Sequence, residues 1–229
     1  MKNKNKSVLI VVAHRDDETF GCGGTIAKLK LENYKIFAVS MTDGVSSRKN
    51  SDKKKIFNRI KNSENASKIL GFSWLDKFCG DFKDNAMDDE NILQIIKVIE
   101  RVKNKINPEL VITHFPEDLN IDHQVVAEAT MTAFRPKFKE NCKKILAFEV
   151  PSSTDYANYK KKIFRPNYYV DIEKFWKKKA QALKAYKDEI MSYPNSRSLK
   201  GLKNIAKYRG NQVGVKMAES FQILRFIDK

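Results

Sequence analysis

The sequence predicts an α/β protein: a Rossmann-like, open, mainly parallel sheet flanked by helices, with a C-terminal elaboration. Three observations carry that prediction. Short apolar runs of strand length, at residues 8–12, 35–41 and 110–113, alternate with segments whose apolar residues recur at helical spacing. The first two runs bracket one such helix, and a βαβ unit implies parallel strands with a functional site at their carboxyl ends. All three histidines, His14, His114 and His123, lie just after a predicted buried strand and within reach of carboxylates.

Taken in order, residues 7–13 form the first strand and 35–41 the second, with Gly24-Thr25-Ile26-Ala27-Lys28-Leu29-Lys30-Leu31 as the helix between them. Gly21, Gly23 and Gly24 do not have the spacing of a dinucleotide loop. They read instead as close backbone approach behind the first histidine. A polar loop at 42–55 leads into helix 54–70, which Gly71 stops as a C-terminal cap. A short strand at 72–78 follows, then an amphipathic helix at 91–105, broken by Asn107-Pro108. After strand 110–113, His123 opens a helix to about Phe134, and 144–150 is another strand. Beyond Pro151 the pattern changes to loops, a strand at 168–172 and a lysine-rich helix at 173–190, whose Trp176, Ala180, Leu183 and Tyr186 are packing residues. The 229 residues read as one domain, 1–150 the α/β core and 151–229 an elaboration over the substrate cleft.

The chemistry concentrates at Ala13-His14-Arg15-Asp16-Asp17-Glu18, where a buried strand ends in a histidine and adjacent carboxylates. Neighbouring residues on a turning backbone point different ways, so one carboxylate can join His14 on a metal while the next faces the cleft. His14, Asp17 and His123 make a two-histidine, one-carboxylate set, and an open fourth position for water is the catalytic zinc pattern.

Ala13-His14-Arg15-Asp16-Asp17-Glu18, followed by Phe20-Gly21-Cys22-Gly23-Gly24-Thr25, resembles the AHPDDE…GxGGT signature of the LmbE-like/PIG-L zinc-dependent de-N-acetylases. Asn120-Ile121-Asp122-His123 resembles that family's downstream Asp-His motif, and the likeness runs from the first strand to about Glu149. The resemblance implies one Zn²⁺ per chain, or another divalent ion, held by His14, Asp17 and His123. It further implies that Asp16 serves as general base and then acid, and that Asp122 orients the His123 imidazole. Arg15 stands where the family has proline, adds a cation near the site and is a candidate for binding an anionic substrate. Asn120 stands where many relatives have a second histidine, so either His114 or the Asn120 amide supplies the oxyanion donor. Lys61, not arginine, precedes Glu64 by three residues, which removes the family's usual arginine there. Arg48 is the candidate for gripping a phosphate. Residues 209–214 and 218–221 resemble the tail of bacterial members that act on sugars. The implied substrate is a small N-acetylated amino sugar carrying an anionic handle, nucleotide or phosphate; the alternatives are a non-sugar amide and a basic nucleotide- or nucleic-acid-binding α/β protein.

Composition bounds the rest. Hydrophobic content of 41% and charged content of 31% suit a soluble globular protein, and no apolar segment approaches the roughly 20 residues of a membrane span. The basic start, residues 1–6, precedes too short an apolar run for a signal peptide. The net charge of +16 comes mostly from lysines dispersed along the chain, without a nucleic-acid-binding motif, so no nucleic-acid partner is expected. Cys22, Cys79 and Cys142 give neither a disulfide framework nor a CxxC pair, which points to the cytoplasm. The sequence sets no oligomeric state.

Overall fold

A computed structural model describes residues 6–49, 52–79, 82–138, 140–157 and 162–228. Most of the basic start and part of the 42–55 loop lie outside these. Seven strands form one sheet: β1 (Ser7–Val12), β2 (Lys35–Ser40), β3 (Ser73–Trp74), β4 (Leu110–His114), β5 (Lys144–Phe148), β6 (Tyr168–Asp171) and β7 (Ala218–Phe226). Their spatial order is β3-β2-β1-β4-β5-β7-β6. The five strands from β3 to β5 run parallel, whereas β7 is antiparallel to both β5 and β6. β1, apolar from Val8 to Val12 and buried throughout, is an interior strand of the kind that such a run predicts.

The helices are α1 (Asp17–Leu31), α2 (Lys53–Leu70), α3 (Ile92–Ile106), α4 (Ile121–Ala133), α5 (Trp176–Leu183) and α6 (Leu199–Asn211). Two apolar clusters lie on opposite faces of the sheet. One face packs against α1, α2 and α5, through residues such as Ile26, Leu70 and Ala182; the other packs against α3 and α4, through Ile95, Ile99 and Val126. Gly71 ends α2 at φ +89° in the left-handed region, the cap that the sequence predicts.

Three differences from the sequence reading have physical causes. Helix α1 begins at Asp17 rather than Gly24, because Asp17 and Glu18 occupy its first turn; the backbone then leaves helical geometry at Cys22 (φ −139°). The lysine-rich helix ends at Leu183 and gives way to turns, which carry Glu189 inward. α6 and β7 are additional. β7 inserts between β5 and β6, so the C-terminal segment completes the sheet as well as lining the cleft. The reversal of strand direction falls beside β5, and the site lies at the carboxyl ends of the parallel strands, where α/β sheets open a crevice.

Candidate metal centre

The turn after β1 brings His14 back onto the first turn of α1. The His14 backbone N–H donates to Asp17 Oδ2 at 2.9 Å, which locks the two together. Asn120 caps α4, its Oδ1 accepting from the Asp122 N–H at 2.8 Å, and this sets His123 on the helix's first turn. His14 Nδ1, Asp17 Oδ2 and His123 Nε2 then form a triangle with sides of 3.2, 3.2 and 3.4 Å. Three ligands of one tetrahedral ion at about 2.0–2.1 Å stand roughly 3.3 Å apart. The donor set and its spacing therefore fit a small divalent cation, with one face open to a cleft of about 480 Å³.

Carboxylates behind the triangle fix the tautomers. Asp122 Oδ2 lies 3.2 Å from His14 Nε2 and is itself held by the N–H groups of Asn85 and Met87. Asp84 Oδ1 is 3.1 Å from the same nitrogen, off the line of the N–H. Asp118 Oδ1 lies 3.1 Å from His123 Nδ1, again off line, and Asp118 also accepts from the hydroxyls of Ser153 and Thr154. The expectation that Asp122 orients His123 is thus corrected: Asp122 backs His14 and Asp118 backs His123. Adjacent residues on a helix point apart, so Asp122 and His123 cannot face each other.

His114 lies beneath the site rather than in it. Its ring stacks on His123 at 3.9 Å between centroids, and its Nε2 accepts the Ala13 N–H at 2.9 Å. Burial, then the neighbouring His123, hold it well below the ordinary imidazole range, so it is neutral. Its remaining nitrogen, Nδ1, is buried without a hydrogen-bond partner among the described residues, and the ring does not line the cleft. Asn120 does line the cleft, with its amide nitrogen donating to Asn85 Oδ1 at 3.1 Å. Arg15 turns away: it is 6% exposed, pairs with Asp76 and stacks on Trp74 at 4.8 Å. A turn that delivers Asp16 and His14 to the cleft sends the residue between them to the other side. Arg48 is at the cleft wall, forked onto both oxygens of Glu189 at 2.8 and 3.1 Å.

Asp16 faces the cleft beside the triangle. Arg59 Nη1 reaches its Oδ2 at 3.0 Å and Arg197 Nη2 reaches the same oxygen at 2.7 Å. Arg59 also pairs with Glu189. Sequence reasoning missed Arg59, Arg197, Glu189, Asp84 and Asp118 as site residues. Arg59 stands on α2, two positions before Lys61.

The charge balance favours a cation. Asp16, Asp17, Asp84, Asp118, Asp122 and Glu189 are six buried carboxylates against the three guanidiniums of Arg48, Arg59 and Arg197, an excess of three. Burial raises the Asp17 carboxyl, but His123 and then His14 outweigh it and hold Asp17 well below the ordinary range. Burial likewise lowers His123, yet Asp17 and then Asp118 push it up to about 9.

A His-Asp-His set that could hold a metal ion, in a crevice at the ends of a parallel sheet, defines an α/β protein with a candidate metal centre. The chain belongs to the PIG-L deacetylase family: residues 9–134 match its model, described as GlcNAc-PI de-N-acetylase. It is 31% identical over 194 residues to a protein of Escherichia coli K12 named uncharacterized deacetylase YaiS, covering 81% of this chain and 92% of that one. It is 27% identical to a probable N-acetyl-alpha-D-glucosaminyl L-malate deacetylase 2 of Bacillus anthracis, over 83% and 84% of the two chains. Among solved structures, N,N'-diacetylchitobiose deacetylase from Pyrococcus horikoshii superposes with a TM-score of 0.75 at 21% identity, covering 97% and 85%. The 4-carboxy-2-hydroxymuconate hydratase GalB of Pseudomonas putida KT2440 does so with 0.77 at 21%, covering 98% and 99%. These superpositions establish the fold, which serves hydration as well as deacetylation. No helix among the described residues is long and apolar enough to cross a membrane.

Proposed function

We propose that the protein is a zinc-dependent hydrolase that removes the acetyl group from an N-acetylated amino sugar within a larger, anionic glycoconjugate. The observation that carries this is the His14–Asp17–His123 triangle with Asp16 beside it in the cleft. The family description and the two named sugar deacetylases support an acetamido sugar, and the malate conjugate named for the Bacillus relative supports an anionic handle, phosphate or nucleotide here. Arg48 is the candidate grip for that handle; its fork on Glu189 requires the handle to share or displace that pairing. Three free cysteines support the cytoplasmic reading, and the shared sheet supports residues 1–229 as a single domain.

Zinc, when bound, polarises the amide carbonyl and lowers the pKa of water toward about 7. The chain does the rest. Asp16 takes a proton from the attacking water and returns it to the departing nitrogen, which must leave as an amine. Asp122 and Asp118 hold the two ligand imidazoles with their metal-side nitrogens unprotonated. Asn120 is the oxyanion donor that lines the cleft, its amide exchanging Asn85 for the developing charge. His114, stacked below, keeps the His123 ring in plane.

Acetate release from free, phosphorylated and nucleotide-linked acetamido sugars, with and without chelator, tests the reading. Chelator-sensitive release is expected, with Asp16→Asn retaining stoichiometric zinc while losing roughly 10²–10⁴ in kcat. Full turnover in that variant would remove Asp16 from its role. Silence of the zinc-loaded protein across the panel would move the substrate to a non-sugar amide.

A further inference from the structure

We infer that Arg197 is a positioning residue for Asp16, and that the C-terminal segment carrying it completes the active site. The inference rests on Asp16 acting as base. Arg197 lies beyond residues 9–134, the part of the chain that the family match covers.

A carboxylate that moves a proton must present one oxygen in a fixed place, yet the terminal torsion of aspartate is broad and soft. Here Arg59 and Arg197 approach from different elements and bind the same atom, Oδ2, at 3.0 and 2.7 Å. Two anchors on one oxygen fix the plane of the group and leave Oδ1 for the cleft. Arg59 alone is a poor clamp, because its other nitrogen is committed to Glu189. Nor is Arg197 merely filling space. Its side chain is 21% exposed and lines the cleft, so the guanidinium that holds Asp16 stands at the wall and not in the core.

Arg197 is itself held on three sides. Its guanidinium lies over the Phe20 ring at 4.2 Å, and Phe20 is fixed in a small apolar cluster with Leu183 and Leu202. Its backbone N–H donates to Asn195 Oδ1 at 2.8 Å. The next residue, Ser198, caps α6 by accepting the Gly201 N–H at 2.9 Å. The arginine therefore projects from the fixed start of a helix, the rigid mounting that a positioning group needs. Glu189 stands 3.8 Å from Nη2, which keeps the guanidinium from swinging outward.

Two measurements on the zinc-loaded full chain test this. Arg197→Ala should lower kcat on the acetamido sugar by roughly ten- to a hundredfold, part of what general-base catalysis supplies, with KM and zinc content little changed. Arg197→Lys, or guanidinium added to the alanine variant, should restore part of the loss. In an Asp16→Asn background, Arg197→Ala should cost nothing further. Unchanged kcat, a rise confined to KM, or full additivity with Asp16→Asn would each overturn the inference. High-resolution crystal structures give a readout independent of turnover: Asp16 should spread over two orientations in Arg197→Ala, and a single unaltered carboxylate would overturn the inference. Inactivity of the wild type on every amide would instead sink the proposed reaction, leaving the crystallographic test to decide the role of Arg197.

Discussion

Three consecutive acids on one turn meet three different fates, decided by what each side chain faces. Asp17 meets imidazoles and Asp16 meets guanidiniums, but Glu18 meets no cation. It is fully buried, accepting hydrogen bonds from the hydroxyls of Thr19 and Tyr186, with Oε2 unpaired. Burial, helped by the charges of Asp16 and Asp17 and opposed by the two hydroxyls, pushes its pKa to about 8 from 4.5. The folded state thus keeps a proton that the unfolded chain surrenders above pH 4.5, so stability falls as pH rises from about 4.5 to about 8 and levels off beyond. At about 1.4 kcal/mol per unit the full effect is a few kcal/mol. Glu18→Gln should remove this slope: urea melts of the zinc-loaded proteins should diverge in favour of the variant between pH 5 and pH 8. Parallel curves would show that Glu18 is ionised in the fold.

At the scale of the element, α1 is built around a break. Leaving helical geometry at Cys22 costs the bond from the Gly24 N–H to the Phe20 carbonyl, and the C-terminal segment replaces both halves. Lys179 Nζ donates to Phe20 O at 2.7 Å, while Glu219 accepts the Gly24 and Thr25 N–H groups at 2.8 and 2.6 Å and pairs with Lys179 at 2.6 Å. A carboxylate here also meets the positive end of the half-helix. Glu219→Ala strands Lys179 inside the protein, and removing one member of a buried pair costs about 3–5 kcal/mol. Chemical denaturation should show that loss, with Lys179→Met/Glu219→Leu losing less than the two single changes together; additive losses would mean the pair is not coupled. The sequence reading opens this helix at Gly24, where its second half does begin, because the apolar periodicity resumes there. It also reads the glycines as close approach, and a Cβ on Gly21 would stand 2.1 Å from the Phe148 ring. β7 carried no comparable local signal: its place between β5 and β6 is a long-range pairing. The same holds at the site. His14, Asp17 and His123 are legible because strand ends and a helix start announce them, whereas Arg59, Glu189 and Arg197 meet only through tertiary packing. One signal did exist. The chain has 35 lysines and 9 arginines, and a guanidinium retained in so lysine-rich a chain marks a place where a planar fork is needed.

For the molecule as a whole, a chain of net charge +16 gathers an excess of buried carboxylate at its centre. A cation held there would do structural work, tying the turn after β1 to the start of α4, segments 109 residues apart along the chain. An ion present at about 100 times its Kd adds about 2.7 kcal/mol to the folded state. For a chain of this size each kcal/mol shifts Tm by roughly 2–4 °C, so chelation should lower Tm by about 5–10 °C. Protons compete for the same nitrogens. His123, at about 9 without the ion, must give up its proton for the metal to bind, and His14 is likewise raised, Asp17 and Asp122 outweighing its burial. Metal affinity consequently falls as pH falls below that value. The Tm difference between metal-loaded and chelated protein, followed by calorimetry, should be larger at pH 8 than at pH 6. A gap that is absent, or that widens toward acid, would mean that these imidazoles do not hold the ion.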